Sequence, residues 1–363
     1  VIAILFLNIK MVKGNELLLC SFFFMVASML INSGFVIGMR QAVPVFCYIG
    51  LISTLSLLAE RNYRAAINGL IAIFLSYYLV GLYTVFILPH GLKFDAVTDS
   101  TIYFFGGKNS IFLWALPLVV LLISRQRLKY EVIQWGVIAL LGLNCCVSFF
   151  VDSASSAFMF GASAIVLILI KLNPKSRVMG VILNPKLLAV IVLVVFFVVV
   201  LANRADIFSY FLEMMDRSTT LTGRTVLWEQ ALVNISEHPL FGVGQSYEYA
   251  LAGGVITSHP HSFYLQYAAS FGLPFILLFV LDIFFCMSKS KGSNMLPGQL
   301  AIAFLFFILL LHSCFDVIVM YIYLLMRFVL LRSLDDAISP LGNNRHSQSN
   351  ISNRRRGHFD LYQ

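Results

Sequence analysis

One polar stretch, residues 223–272, gathers Arg224, His238, His259 and His261 in a chain that is otherwise mostly apolar. An arginine among histidines suits chemistry on a phosphate-linked group. The guanidinium is a planar donor fork that fits phosphate oxygens two at a time. A neutral imidazole, with a reference pKa of about 6.5, can take a proton from a hydroxyl at ambient pH. Val226, Leu227, Ala231 and Leu232 recur at helical spacing, so a helix is expected from Thr222 or Gly223 to about Ser236. Arg224 then lies in its first turn, where free N–H groups and the positive end of the dipole favour anions. The dipole disfavours an arginine there on stability grounds alone, which hints at function; the plainer reading is a surface ion pair with Asp216 or Glu229. His261 stands where the stretch meets the next apolar run, either as a base or as an interfacial hydrogen bonder. His259 precedes a proline and His238 belongs to a helix-ending His-Pro pair, so both are weaker candidates. The chain has no HExxH, no CxxC among its six cysteines, and no paired carboxylates at fixed spacing, so no metal and no cofactor is expected.

The elements that must position these residues are membrane helices. The chain has 363 residues, 60% hydrophobic and 12% charged, about half the charge of ordinary soluble domains. Apolar runs of roughly 15–25 residues follow one another. That is the pattern of spanning helices, not the ~10-residue alternation of barrel strands. The expected class is all-α: a polytopic integral membrane bundle of about 10–11 spans. The spans fall near 17–39, 42–59, 65–89, 110–124, 132–151, 154–170, 187–202, 263–287, 299–315 and 317–332, with residues 1–9 as an incomplete eleventh. Transmembrane helices thus fill 1–202 and 263–332. A long extracytoplasmic loop over 203–262 carries the candidate site, and 333–363 is a disordered polar tail. A second helical element of the loop is expected to begin near His259 and to run unbroken into the span after Phe263. Nineteen of the 25 Lys and Arg residues lie on one set of alternate loops and the tail, and six on the other. The positive-inside rule therefore puts 203–262 and the smaller loop 90–109 outside and the C-terminus in the cytoplasm. The net charge of +8 marks topology and membrane lipids, not a nucleic-acid partner.

Gly223-Arg224-x3-Trp228, then His238-Pro239-Leu240-Phe241-Gly242-Val243-Gly244, then His261-Ser262-Phe263-Tyr264-Leu265 with Gly272 eleven residues after the histidine form an ordered set over about 50 residues. The set resembles the O-antigen ligase/polymerase superfamily, whose pattern reads GRxxxW, xPxxGxG and HNxxL with a glycine at that spacing. Lys108-Asn109, following Gly106-Gly107, also looks like a family signature. Two departures stand out: Ser262 replaces the usual asparagine, and Ser153-Ala154-Ser155-Ser156-Ala157 lacks the arginine of the Ser-Arg-Gly found in many relatives.

The resemblance implies a glycosyltransferase of the large-membrane-helix class (GT-C) at the outer face of the bacterial inner membrane. It would transfer a glycan from undecaprenyl pyrophosphate without metal or nucleotide. Arg224, with Arg217 or Arg204, would hold the pyrophosphate. His261 would orient or deprotonate the acceptor hydroxyl. Lys108 and Trp228 would contact substrate, and Gly223, Pro239, Gly242, Gly244 and Gly272 would build the motif. A polymerase of surface polysaccharide, O-antigen or capsule, is favoured over a ligase to lipid A-core because the Ser-Arg motif is absent. A chain-length regulator and a flippase are the expected partners. A flippase or other transporter is the remaining alternative; its ionisable candidates within the spans are Asp282 and Arg327.

Overall fold

The computed structural model describes residues 14–88, 91–95, 100–125, 133–202, 224–245, 247–250, 256–289 and 295–335. Helix α1 (Glu16–Ser33) is followed by α2 (Phe35–Ile87). At 53 residues α2 is ~80 Å long, far more than a ~30 Å hydrocarbon core requires. It breaks at Asn62, which adopts φ −156° and ψ 86°. The two halves are the expected spans 42–59 and 65–89. The expected first span, 17–39, stops instead at Ser33, because Gly34 takes φ 74° and turns the chain straight into α2.

A small antiparallel hairpin follows, β1 (Lys93–Asp95) with β2 (Ser100–Ile102). Then come α3 (Ser110–Ser124), α4 (Trp135–Phe150), α5 (Ala154–Leu172), the short α6 (Arg177–Ile182) and α7 (Pro185–Val195). A π-helical turn, Phe196–Leu201, extends α7. Helix α8 (Arg224–Glu237) and a second hairpin, β3 (Tyr249–Ala250) with β4 (Ile256–Thr257), lead to α9 (Phe263–Phe271), α10 (Leu273–Ser288), α11 (Pro297–Phe315) and α12 (Met320–Asp335). Among the described residues α1, α2, α5 and α11 are long and apolar enough to cross a membrane, and α3, α4, α7 and α10 are shorter apolar helices. The fold is all-α, an apolar helical bundle.

Two expectations from the sequence are corrected by the fold. The single span 263–287 is two helices that meet at Gly272, whose φ of 89° no helix can continue through. The element expected from His259 begins at Phe263 instead. Pro260 and a left-handed His261, φ 52°, stand in front of it and keep the helix from starting earlier.

Helix α11 is the axis of the bundle. It packs against α3, α5, α7, α9 and α12, and 17 of its 19 residues are buried. In lipid, burial of apolar surface does little to hold helices together; close packing and hydrogen bonds must do it. Accordingly Ser21, Ser53 and Ser163 turn their hydroxyls back onto carbonyls of the preceding turn, which leaves helix surfaces smooth. The bundle has two polar ends. At one, Asp282 and Arg327 meet the start of α1. At the other, the segment before α3, the α4–α5 turn, the α8–α9 region and the α11–α12 turn converge.

Candidate functional site

The HPLFGVG run is folded as a clamp on the end of α9. Val243 N–H donates to the Ala269 carbonyl at 2.8 Å, Gly244 N–H to Ser270 at 3.1 Å, and Leu273 N–H to Pro239 at 2.7 Å. Ser28 of α1 closes the joint, its hydroxyl placed to donate to the carbonyls of both Phe241 and Ser270. Backbone passes so close to backbone that side chains are excluded. A Cβ on Gly272 would lie 2.1 Å from the Leu240 oxygen, and one on Gly242 would lie 2.3 Å from the Ala269 oxygen. Both glycines also have positive φ, which only glycine adopts without strain. The clamp fixes the end of α9, and the bond from Phe263 N–H to the Asp316 carbonyl fixes its start beside His261.

Helix α8 lies over α9 with one face inward: Leu227, Trp228, Ala231 and Asn234 are its buried residues, a helical stripe. The amide of Gln230 bonds both the N–H and the carbonyl of Ala250, tying β3 to α8. Arg224 begins α8 and reaches back to α11, where its Nη1 donates to the Phe315 carbonyl. That carbonyl is one of the acceptors a helix C-terminus leaves open, and the negative end of the α11 dipole favours a cation there.

Asp316 is the hub. It leaves α11 in an extended conformation, φ −151° and ψ 164°. Its carbonyl accepts from Phe263 N–H at 3.2 Å, joining α11 to the start of α9. Its Oδ1 accepts from Val317 N–H at 2.8 Å and its Oδ2 from the Asn109 amide at 3.0 Å. His261 Nδ1 lies 3.7 Å from Oδ1, too far for a hydrogen bond but near enough for strong electrostatic coupling. Burial would push the Asp316 carboxyl up. The facing His261, His312 and Arg224 outweigh it and hold the carboxyl well below the usual range, so it is ionised.

Three histidines surround this carboxylate. His261 is 33% exposed, yet its Nδ1 is sealed and unpartnered, so Nε2 lies on the open side. The left-handed backbone of His261 is uncommon for a residue with a Cβ. His259 meets His261 edge-on with ring centroids 4.4 Å apart. Burial, with His261 beside it, pushes the His259 imidazole down to about 4. His312, one turn before Asp316, stacks on Phe112 at 4.2 Å, and neither ring nitrogen has a partner. Among the described residues ten buried side-chain N and O atoms lack a hydrogen bond, and five belong to His259, His261, Ser262 and His312. Each such atom costs about 1–3 kcal/mol. Half of them lie close to this one carboxylate, so the unmet hydrogen-bonding capacity is concentrated there.

The residues singled out from sequence fall into distinct groups. Arg224 and His261 are brought to the same carboxylate. Pro239, Gly242, Gly244 and Gly272 form the clamp. Lys108 points elsewhere, donating to Asp152 at 3.0 Å on the exposed rim. Trp228 is only 1% exposed and lies in the packing, where no sugar reaches its ring. Arg204, Arg217 and Gly223 lie outside the described residues. Sequence reasoning does not single out Asp316 and His312 as site residues. A signal for them exists nonetheless: His312-Ser-Cys-Phe-Asp316 interrupts the last apolar run with ionisable groups that hydrocarbon would expel.

Residues 137–280 match the family model described as O-Antigen ligase. Over that segment the chain is similar to the O-antigen ligase/polymerase superfamily, and the match supports that resemblance. Members of the family are glycosyltransferase-like enzymes. The matched segment runs from α4 into α10, so it carries Arg224, His261 and the backbone bonds of the clamp, while Ser28, Asn109, His312 and Asp316 come from outside it. No curated protein matches the chain by sequence.

Proposed function

We propose that the chain polymerises lipid-linked oligosaccharide repeat units of a bacterial surface polysaccharide at the outer face of the inner membrane. The donor is a glycan on undecaprenyl pyrophosphate and the acceptor a sugar hydroxyl of another lipid-linked unit. The observation that carries the reading is the convergence of Arg224, His261 and an ionised Asp316 from three separate elements. Asp316 faces Nδ1 of His261 and so favours the tautomer with its proton there, which leaves Nε2 as acceptor. As the acceptor oxygen attacks the anomeric carbon, Nε2 takes its proton. The bond from that carbon to the pyrophosphate oxygen breaks, and its electron pair leaves with the pyrophosphate. In this scheme Arg224 donates to the growing negative charge on the pyrophosphate. No divalent cation enters this scheme.

A ligase that passes the glycan to lipid A-core or another acceptor uses the same chemistry. Polymerase is preferred because the run after Asp152 lacks the arginine of Ser-Arg-Gly, and Ser153 is instead engaged with Asn109. A transporter is disfavoured by the Asp282–Arg327 pair, which is bidentate, buried and hydrogen-bonded throughout. The test is reconstitution in liposomes with a purified lipid-linked repeat unit. A ladder of lengths in the presence of EDTA is the expected product. Transfer of single units to lipid A-core without a ladder would replace polymerase with ligase, and loss of all product with EDTA would overturn the metal-free scheme.

A further inference from the structure

The proposed mechanism uses the Asp316 carboxylate to orient His261, and the carboxylate must itself be held. We infer that Asn109 is a positioning residue for this reaction: its side-chain amide pins Oδ2 of Asp316 so that Oδ1 is presented to His261, and Ser153 fixes the amide. This rests on His261 being the base.

The geometry runs in one line. The Ser153 hydroxyl donates to Asn109 Oδ1 at 2.8 Å, and Asn109 Nδ2 donates to Asp316 Oδ2 at 3.0 Å. Oδ1 of the same carboxylate faces His261 Nδ1 at 3.7 Å. Each link has a fixed base. Ser153 is buried at the start of α5, its N–H donating to Ser148. Asn109 precedes the first turn of α3. Val317 N–H holds Oδ1 from the other side. With Ser153 donating to its oxygen, the Asn109 amide has only its NH2 left for the carboxylate, so its orientation is set. The chain also links three segments far apart in sequence, the start of α3, the α4–α5 turn and the α11–α12 turn, to a histidine on a fourth.

Asparagine matters here because it is neutral. Among the described residues, the charged and titratable groups facing Asp316 and His261 are Arg224 from α8, His259 from the segment before α9 and His312 from α11, with the Lys108–Asp152 pair on the rim. A neutral donor from α3 stabilises the carboxylate without adding to that balance. An aspartate of the same shape would add a negative charge on ionising and favour the protonated form of the nearby imidazole.

Steady-state transfer in liposomes, with a purified lipid-linked repeat unit as probe, tests this across pH 5–9. Asn109→Ala should lower kcat about 10–100-fold with KM for the donor little changed, at unaltered protein level. Asn109→Asp, which keeps the shape, should move the acid limb of the rate profile up by about 0.5–1 pH unit. Ser153→Ala should cost only a few-fold, since Asn109 keeps its bond to Asp316. If Asn109→Ala turns over like the wild type, or Asn109→Asp leaves the limb in place, the inference is wrong even though His261→Ala is inactive. If His261→Ala is itself active, the base assignment fails and this inference with it.

Discussion

The two polar ends of the bundle hold similar residues in opposite conditions. At one end Arg327 grips Asp282 with two bonds of 2.7 Å, side chains 4% and 1% exposed. Its remaining donors go to Asn15 and the Gly14 carbonyl, and Tyr323 adds a donor to the carboxylate. At the other end Asp316 faces Arg224 and three histidines, and five buried nitrogens and oxygens around it have no hydrogen bond. A saturated pair has no capacity left for a substrate; it ties α10 and α12 to the start of α1. An unsaturated cluster is less stable than it could be, and it leaves buried polar atoms free to bond a polar group. Charge and burial alone do not separate structure from function here. The two ends differ in how completely their buried polar atoms are hydrogen-bonded.

Substitutions can break that contrast, and the largest effect should fall on the saturated end. Arg327→Leu leaves a buried carboxylate alone and should cost about 3–5 kcal/mol of stability, read as loss of protein in the membrane or of thermal stability in detergent. Asp282→Leu combined with Arg327→Leu should recover much of it. At the open end the loss should be catalytic instead. Arg224→Ala should lower transfer by about 10³-fold at normal protein level, the scale of a lost transition-state donor. Arg224→Lys should restore only part, since a point charge replaces a fork. If Arg224→Ala unfolds the protein as Arg327→Leu does, the two ends are alike and the contrast is void.

His261→Ala should reduce product formation about 10²-fold, a usual general-base contribution. The smallest effect belongs to its neighbour. With burial holding His259 down to about 4, that ring is neutral throughout pH 5–8 and its proton gain lies below the window. His259→Asn should therefore leave the shape of the pH–rate profile unchanged there and cost only a few-fold in rate. An acid limb near neutrality that vanishes in His259→Asn would transfer the base role to His259.

Much of this is legible in the sequence, and what is not has physical causes. The polar stretch stands out because lipid leaves so few places for cationic side chains, so residue type and position alone single out Arg224 and His261. Gly272 is marked by its spacing, but its reason is not: the Leu240 carbonyl, 32 residues away in sequence, fills the space a side chain there would need. Asp316 lies in a hairpin break that the apolar pattern already displays, yet nothing local says that the break sits under His261. Trp228 is expected to contact substrate only through the family resemblance. Its neighbours Leu227 and Ala231 place it on the buried stripe of α8, and that stripe is visible in the sequence. The helix break at Asn62 falls between two expected spans, so the span count survives although the helix is continuous on both sides of it.

The clamp between Pro239–Gly244 and Ala268–Leu273 also bears on how such a chain can diverge. One residue inserted between Pro239 and Gly244 would put the clamp bonds out of register and loosen the end of α9. The connection after Ala250 is different. Gln230 anchors Ala250 on the near side, and the clamp and Asp316 anchor α9 on the far side. Residues added between β3 and β4 would disturb none of these bonds. Length can thus vary at that connection while Arg224, His261 and the clamp keep their places, so divergence there is decoupled from the geometry of the polar cluster.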